Sequence, residues 1–254
     1  ASARGENTET LARRLLGELG YALPGSRVGA ITALLFTDAR IGLSRIRWAP
    51  RPEEALGPDA LSESDVLWSV SAGLSLVDSI DATLFGNKGL LHALSLGEPS
   101  RVARFRCAGA ISATAIGRFG RSDAMRSACG LAADQAGDER ARLYLELAEM
   151  AHSFLGTNEW TRTHEHAANA RRLWKSIGGT HGWETNLMAQ FECWAHHQKG
   201  DLPALRAHVP EHIRSAQRMG NRFIEVNFRT FFVDMALADD RPAEALADVE
   251  DAIA

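Results

Sequence analysis

Cysteine is nearly missing. Only Cys107, Cys129 and Cys193 stand in 254 residues, and no two are spaced Cys-x-x-Cys. An odd, widely separated set argues against a disulfide framework or a structural zinc ribbon and points to a reducing compartment, here the cytoplasm. Long apolar runs are missing too: none approaches the ~18 residues that cross a bilayer, so no membrane partner is expected. No leader is expected in the first residues given, since Glu6 to Glu9 is polar and acidic. Excess positive charge is absent as well, with a net charge of −4 and a pI of about 6.2. Nucleic-acid binders are usually basic, so nucleic acid is not an expected partner. The local run Arg40, Arg45, Arg47 and Arg51 reads as a solvated face beside a linker. Lysine is scarce, with Lys88, Lys175 and Lys199 the only lysines among 28 basic residues, a bias of codon composition in a GC-rich genome.

Catalytic signatures are lacking. There is no G-x-G-x-x-G loop, no H-R-D and no D-F-G of a kinase, and no G-x-S-x-G elbow of a hydrolase. Gly86-Asn87-Lys88-Gly89 lacks the first glycine and the hydroxyl of a phosphate loop, so nucleotide hydrolysis is not expected. Nine histidines raise the question of a metal. His164 and His166 flank Glu165, but residues two apart point to different sides of a helix. His208 and His212 are spaced to share an ion, and Cys193 lies near His196 and His197. Zinc takes four ligands, or three plus water, and no local cluster reaches that, so neither metal nor cofactor is expected.

What remains is abundant helix-forming sequence, 45% hydrophobic and 24% charged, enough for a continuous core. Four segments share apolar or small residues at i, i+4, i+7 and i+8: Cys107, Ile111, Thr114, Ala115; Leu143, Leu147, Met150, Ala151; Leu187, Phe191, Trp194, Ala195; and Phe228, Phe232, Met235, Ala236. They recur at offsets of 36, 44 and 41 residues. The spacing places each set on one helical stripe, and the terminal Ala lets a neighbouring helix approach closely. Breaks follow at Gly117 to Asp123, Gly156 to Glu159, Gly200 to Pro203 and Asp239 to Pro242. Asp201 and Asp240 are candidate caps, with Pro203 and Pro242 in the first turns. Second helices carry their own stripes, Ala167, Ala170, Trp174, Ile177 and Leu205, Val209, Ile213, Ala216, with Pro210 predicted to kink or split the latter. Trp160, Trp174 and Trp194 lie on apolar stripes and read as core.

The alternation of packing helix, tight turn and second helix over residues 98 to 254 resembles the tetratricopeptide family, although its units are longer than the ideal ~34 residues. The expected fold is therefore all-α, a tetratricopeptide-like superhelix of antiparallel helix pairs over 98–254, behind an N-terminal helical segment, 1–97. In that segment Thr8 to Gly20 is helical in pattern, with Leu11, Leu15, Leu16 and Leu19 on one side, and Ile31 to Ile46 is a second amphipathic helix. Residues 49–61 hold Pro50, Pro52 and Pro58 and read as a linker. Ser62 to Asp65 is placed to cap a long apolar helix through Val66, Val70, Leu74, Val77 and Leu84, with a break at Gly86 to Lys88 before Leu90, Leu91, Leu94 and Leu96. The absence of an initial Met, and the helical pattern Ala245, Leu246, Val249 and Ile253 running to Ala254, suggest a piece of a longer protein.

Two stretches extend the comparison. Trp68 to Arg104, WSVSAGLSLVDSIDATLFGNKGLLHALSLGEPSRVAR, and Phe154 to Phe223, with GTNEW and KGDLPALRAHVP, resemble the helical C-terminal tails of large bacterial serine/threonine kinases with a central ATPase-like module. The resemblance implies a non-catalytic regulatory or scaffolding region of a signalling protein. Its expected partner is a protein, another domain of the parent chain, or a small effector, held in a concave groove. Residues one and five positions past the second stripe member turn away from the core, since each step rotates ~100°. The candidates so placed are Ser112, His152, Glu192 and His196. Asp78 and Asp81, carboxylates in an apolar helix, are a second candidate site at the junction of the two segments, or else an ion-pair partner or helix cap. The alternative function is an enzyme whose His and carboxylate groups meet across helices.

Overall fold

The computed structural model describes residues 3–43, 48–75, 78–180 and 182–253, with side chains over 10–42, 48–75, 78–180 and 182–252. Arg45, Ile46, Arg47, Val77 and the side chains of Glu6 to Glu9 and Ile253 lie outside what is described. Among the described residues there are twelve α-helices and no strand. The helices are α1 (Ala3–Glu18), α2 (Arg27–Leu43), α3 (Pro58–Leu74), α4 (Ser79–Leu96), α5 (Pro99–Ala115), α6 (Phe119–Ala136), α7 (Glu139–Leu155), α8 (Trp160–Ser176), α9 (Trp183–Gln198), α10 (Leu202–Arg218), α11 (Arg222–Ala238) and α12 (Pro242–Ile253). Among the described residues no helix is long and apolar enough to cross a membrane. The chain divides into two compact units, Ala1–Ala148 and Glu149–Ala254, with the division inside α7.

In the first unit α1 packs on α3, α2 and α3 on α4, α4 on α5 and α5 on α6. Its core is made by Leu67, Val70 and Leu74 of α3, Leu84, Phe85 and Leu90 of α4, and Val102 and Phe105 of α5. Three local expectations are corrected here. The Pro-rich stretch ends early: Gly57 is the N-cap and Pro58 opens α3, so 58–65 is helix and Ser62 to Asp65 lies within it. Proline suits that first position because its missing N–H has no intrahelical acceptor there. The expected single helix is two: α3 ends at Leu74, and the Asp78 carboxylate accepts hydrogen bonds from the Ile80 and Asp81 N–H groups and starts α4 anew. Conversely, the chain does not break at Gly86 to Lys88; α4 runs through. The glycines there serve close approach. A Cβ on Gly89 would fall 2.3 Å from the Phe105 ring, and one on Gly86 3.1 Å from the Ser71 hydroxyl.

A charge cluster built on the buried pair Glu98 and Arg101 fastens this unit. Glu98 caps α5 by accepting from the Ser100 and Arg101 N–H groups, and also pairs with the Arg101 guanidinium at 3.3 Å. Arg101 reaches Asp65 of α3 at 2.8 Å and Glu53 of the 3₁₀ turn Glu53–Ala55 at 3.5 Å. The Pro-rich segment is tied down by these bonds and by Arg51 N–H donating to the Gly97 carbonyl at 2.8 Å. Gly97 sits at φ 80°, and a Cβ there would lie 2.3 Å from the Ala49 carbonyl oxygen. Glycine is therefore required twice over, for the left-handed turn and for the contact.

In the second unit each helix from α8 onward packs on the next, and α9 also touches α11. Ala189 and Cys193 of α9, Leu205, Val209 and Ala216 of α10, and Ile224, Phe228, Phe231 and Met235 of α11 form one buried cluster. The stripes of α7, α9 and α11 are buried or partly buried as predicted, with Ala151, Ala195 and Ala236 fully buried. That of α5 departs at its end, where Ala115 is exposed at the last helical residue. Asp201 caps α10 by accepting from Ala204 N–H. Asp240 does not cap α12: it sits left-handed at φ 55°, and the Arg241 carbonyl accepts the first helical bond instead, from Ala245. Nor does Pro210 split α10, which continues from Leu202 to Arg218.

Candidate functional site

The second unit brings three imidazoles from successive helices into one row. His164 of α8 and His196 of α9 have ring centroids 4.2 Å apart, and His196 and His208 of α10 are 6.2 Å apart with planes at 23°. His196 Nδ1 lies 3.1 Å from Asp201 Oδ2. One turn earlier on α9, Glu192 pairs with Arg171 of α8. Burial, then the neighbouring His196, holds the His164 imidazole below its ordinary range. Burial likewise pulls down His212, which stacks on Phe228 at 4.8 Å.

Next to this row lies a cavity of about 460 Å³. Its walls come from the C-terminal halves of α8 and α10, the first turns of α9 and the start of α11. Trp174, His212 and Phe228 supply aromatic surface, and Met188, Met219 and Ile224 supply aliphatic surface. Thr180, Thr185, Asn186 and Ser215 add polar groups, and Arg171 and Lys175 bring positive charge. No carboxylate is among the lining residues. Trp174 is fixed in place: its Nε1–H donates to the Thr180 carbonyl at 2.8 Å, and a Cβ on Gly179 would fall 2.2 Å from its ring. Expected as a core residue, Trp174 is a partly buried cavity wall.

Of the residues singled out by spacing, Glu192 and His196 are brought together on one face of α9, each partly buried against α8, with His196 also against α10. That face continues through Ala189 and Thr185 into the cavity. His152 sits on α7 against the Gly156 turn, where a Cβ would lie 2.9 Å from its Nδ1. Ser112 belongs to α5 in the first unit and is partly buried. Asp78 is a helix cap. Asp81 acts on Lys88, whose ammonium is depressed by burial and partly restored by that carboxylate; Lys88 also stands 4.6 Å over the Phe85 ring.

A further polar cluster that spacing missed is in the first unit. Asn87, on α4, donates to Asp38 of α2 at 2.6 Å, and Asp38 also receives Arg121 of α6 at 2.6 Å. Nothing in the local pattern marks these residues, which are 49 and 83 positions apart from Asp38.

Among the described residues no group of three or more His, Cys, Asp and Glu side chains is placed to hold a metal ion. The i, i+4 pair diverges, since His208 turns to His196 while His212 lies on Phe228. Burial, then Glu192, pushes the Cys193 thiol up to about 12, so it stays protonated at neutral pH and is a poor nucleophile. Comparison with protein-family models, curated proteins and solved structures returns no match.

Proposed function

We propose that this chain is a binding region of a signalling protein, and that its second unit holds a small effector in the cavity between α8, α9, α10 and α11. The cavity carries the proposal. It is concave, largely apolar, and edged by a few polar and cationic groups, which is the composition of small-molecule sites. The run of helices of similar length, each packed on the next and α9 on α11, supports reading the unit as tetratricopeptide-like helix pairs. The likeness of residues 68–104 and 154–223 to kinase tails supports a regulatory place in a bacterial serine/threonine kinase-like parent, and buried free thiols suit the cytoplasm.

A ligand that binds only the native state must raise the melting temperature. Thermal unfolding against a library of metabolites and short peptides should give hits, and Ser215→Phe, which puts a ring on a lining position of the cavity, should abolish their effect. Hits that survive Ser215→Phe with the fold intact would move the site elsewhere and refute the assignment.

A further inference from the structure

The ligand's chemistry follows from what lines the cavity, given the reading of the second unit as a binding region. Its three rings and two thioethers favour a flat apolar body, because aromatic faces and polarizable sulfur pack well on π surfaces. At about 460 Å³ it suits a small molecule and is too small to bury a folded peptide segment. Its charge is one-sided. Arg171 is engaged by Glu192, but Lys175, one helical turn further along α8, is exposed and has no partner among the described residues. The wall beside it is pre-set, since Trp174 is pinned by Thr180 and Gly179 before any ligand arrives. Little ordering entropy is then lost on binding.

We propose that this cavity binds a small aromatic anion, with its ring system between Trp174 and the His212–Phe228 stack and its carboxylate-type head toward Lys175. A neutral ligand of the same shape would gain the packing but not the charge contact. A cationic one would meet Lys175 and Arg171 unfavourably.

Isothermal titration of the full chain with 2-naphthoate and with 2-naphthamide, its neutral isostere, tests this directly. At low salt naphthoate should bind roughly two- to fivefold more tightly, the scale of one exposed charge contact, and the preference should shrink as salt is added. Lys175→Glu should remove the preference, and because Lys175 is exposed the substitution should leave the fold intact. Ser215→Phe should abolish binding of both probes. Asn186→Phe, which blocks from the α9 wall, repeats that arm if Ser215→Phe lowers the melting temperature. Equal affinities, unchanged by Lys175→Glu yet lost on blocking, would refute the anion while leaving the cavity as a site. No binding of either probe at millimolar concentration would overturn both readings. Naphthoate binding that persists in both blocking variants would place the anion elsewhere and overturn the proposal.

Discussion

Replacing Gly89 by alanine should destabilise this protein, against the usual direction for a helix interior. Gly89 lies in the middle of α4, where a Gly to Ala change ordinarily stabilises by about 0.5–1 kcal/mol through lower backbone entropy in the unfolded chain. The new methyl would sit 2.3 Å from Cε1 and Cζ of Phe105. The ring cannot simply retreat. It is 2% exposed, Trp68 meets it edge-on at 5.7 Å, and the Arg104 guanidinium lies 5.5 Å from its centroid. Overpacking of this kind costs about 1–3 kcal/mol, so the net loss should be about 1–2 kcal/mol. Urea unfolding reads it as a lower midpoint. Trimming the ring should reverse the sign: in a Phe105→Leu background Gly89→Ala should be neutral or stabilising, a coupling of about 1–3 kcal/mol in the double-mutant cycle. Gly17→Ala, near the end of α1 with nothing within 4 Å of the new Cβ, is the control and should stabilise. If Gly89→Ala stabilises the protein as Gly17→Ala does, the close approach of α4 and α5 is wrong.

Four other outcomes are expected. Glu98→Ala removes the α5 cap and one buried partner of Arg101 and should cost about 2–3 kcal/mol by denaturation, whereas Glu98→Gln, which keeps an acceptor, should cost less. Phe191→Ala should cost about 3–5 kcal/mol by opening a cavity, and Ala195→Leu about 1–3 kcal/mol by overpacking; both variants as stable as the parent would displace the register of α9. Pro210→Ala should raise stability by about 1–3 kcal/mol, since α10 already runs through this position without the proline's N–H, and a lower midpoint would show that the proline is needed. Finally, His164 and His212 are held below 6.5 in the folded protein, so the folded state resists their protonation. Their contribution is complete above the unfolded value of 6.5 and is lost as pH falls from there through the folded values. The melting temperature should therefore fall between pH 7.5 and 5.5, and the paired change His164→Gln with His212→Gln should flatten that fall.

The all-helical class was legible because the 3.6-residue period survives wherever one face is buried. The stripes through Leu143, Phe191 and Phe228 land in cores for that reason. The boundaries misread were those where one residue type serves two purposes. Glycine ends helices through a left-handed turn, as at Gly97 and Gly200, but it also admits a neighbouring ring, as at Gly89. Proline breaks a helix interior but starts α3 at Pro58 and is tolerated inside α10 at Pro210. Asp78 and Asp240 show the same ambiguity: one caps a helix as a carboxylate acceptor, the other takes the left-handed turn that aspartate tolerates better than most residues. In each case the tertiary neighbour decides, and a single strand of sequence does not contain it.

The site was legible only along one helix. Rotation about α9 places Glu192 and His196 off the core stripe, and they do share a face. What that face meets depends on where α8 and α10 pack, and this brought Arg171, His164 and His208 to it from 21, 32 and 12 residues away. The cavity beside them was less visible still. Among its walls are residues whose individual patterns read as core, Trp174 and Phe228, and the space left between them is not visible in either pattern. Core packing and ligand binding use the same apolar side chains, so periodicity alone cannot separate the two. The separating signal is the charged residue at the rim. Lys175 is one of three lysines in a chain that otherwise uses arginine, and it stands unpaired where its neighbour Arg171 is paired. Its place in the last turn of α8 suits a cation on account of the helix dipole alone, so the charge becomes evidence for a ligand only if Lys175→Glu changes what the cavity binds.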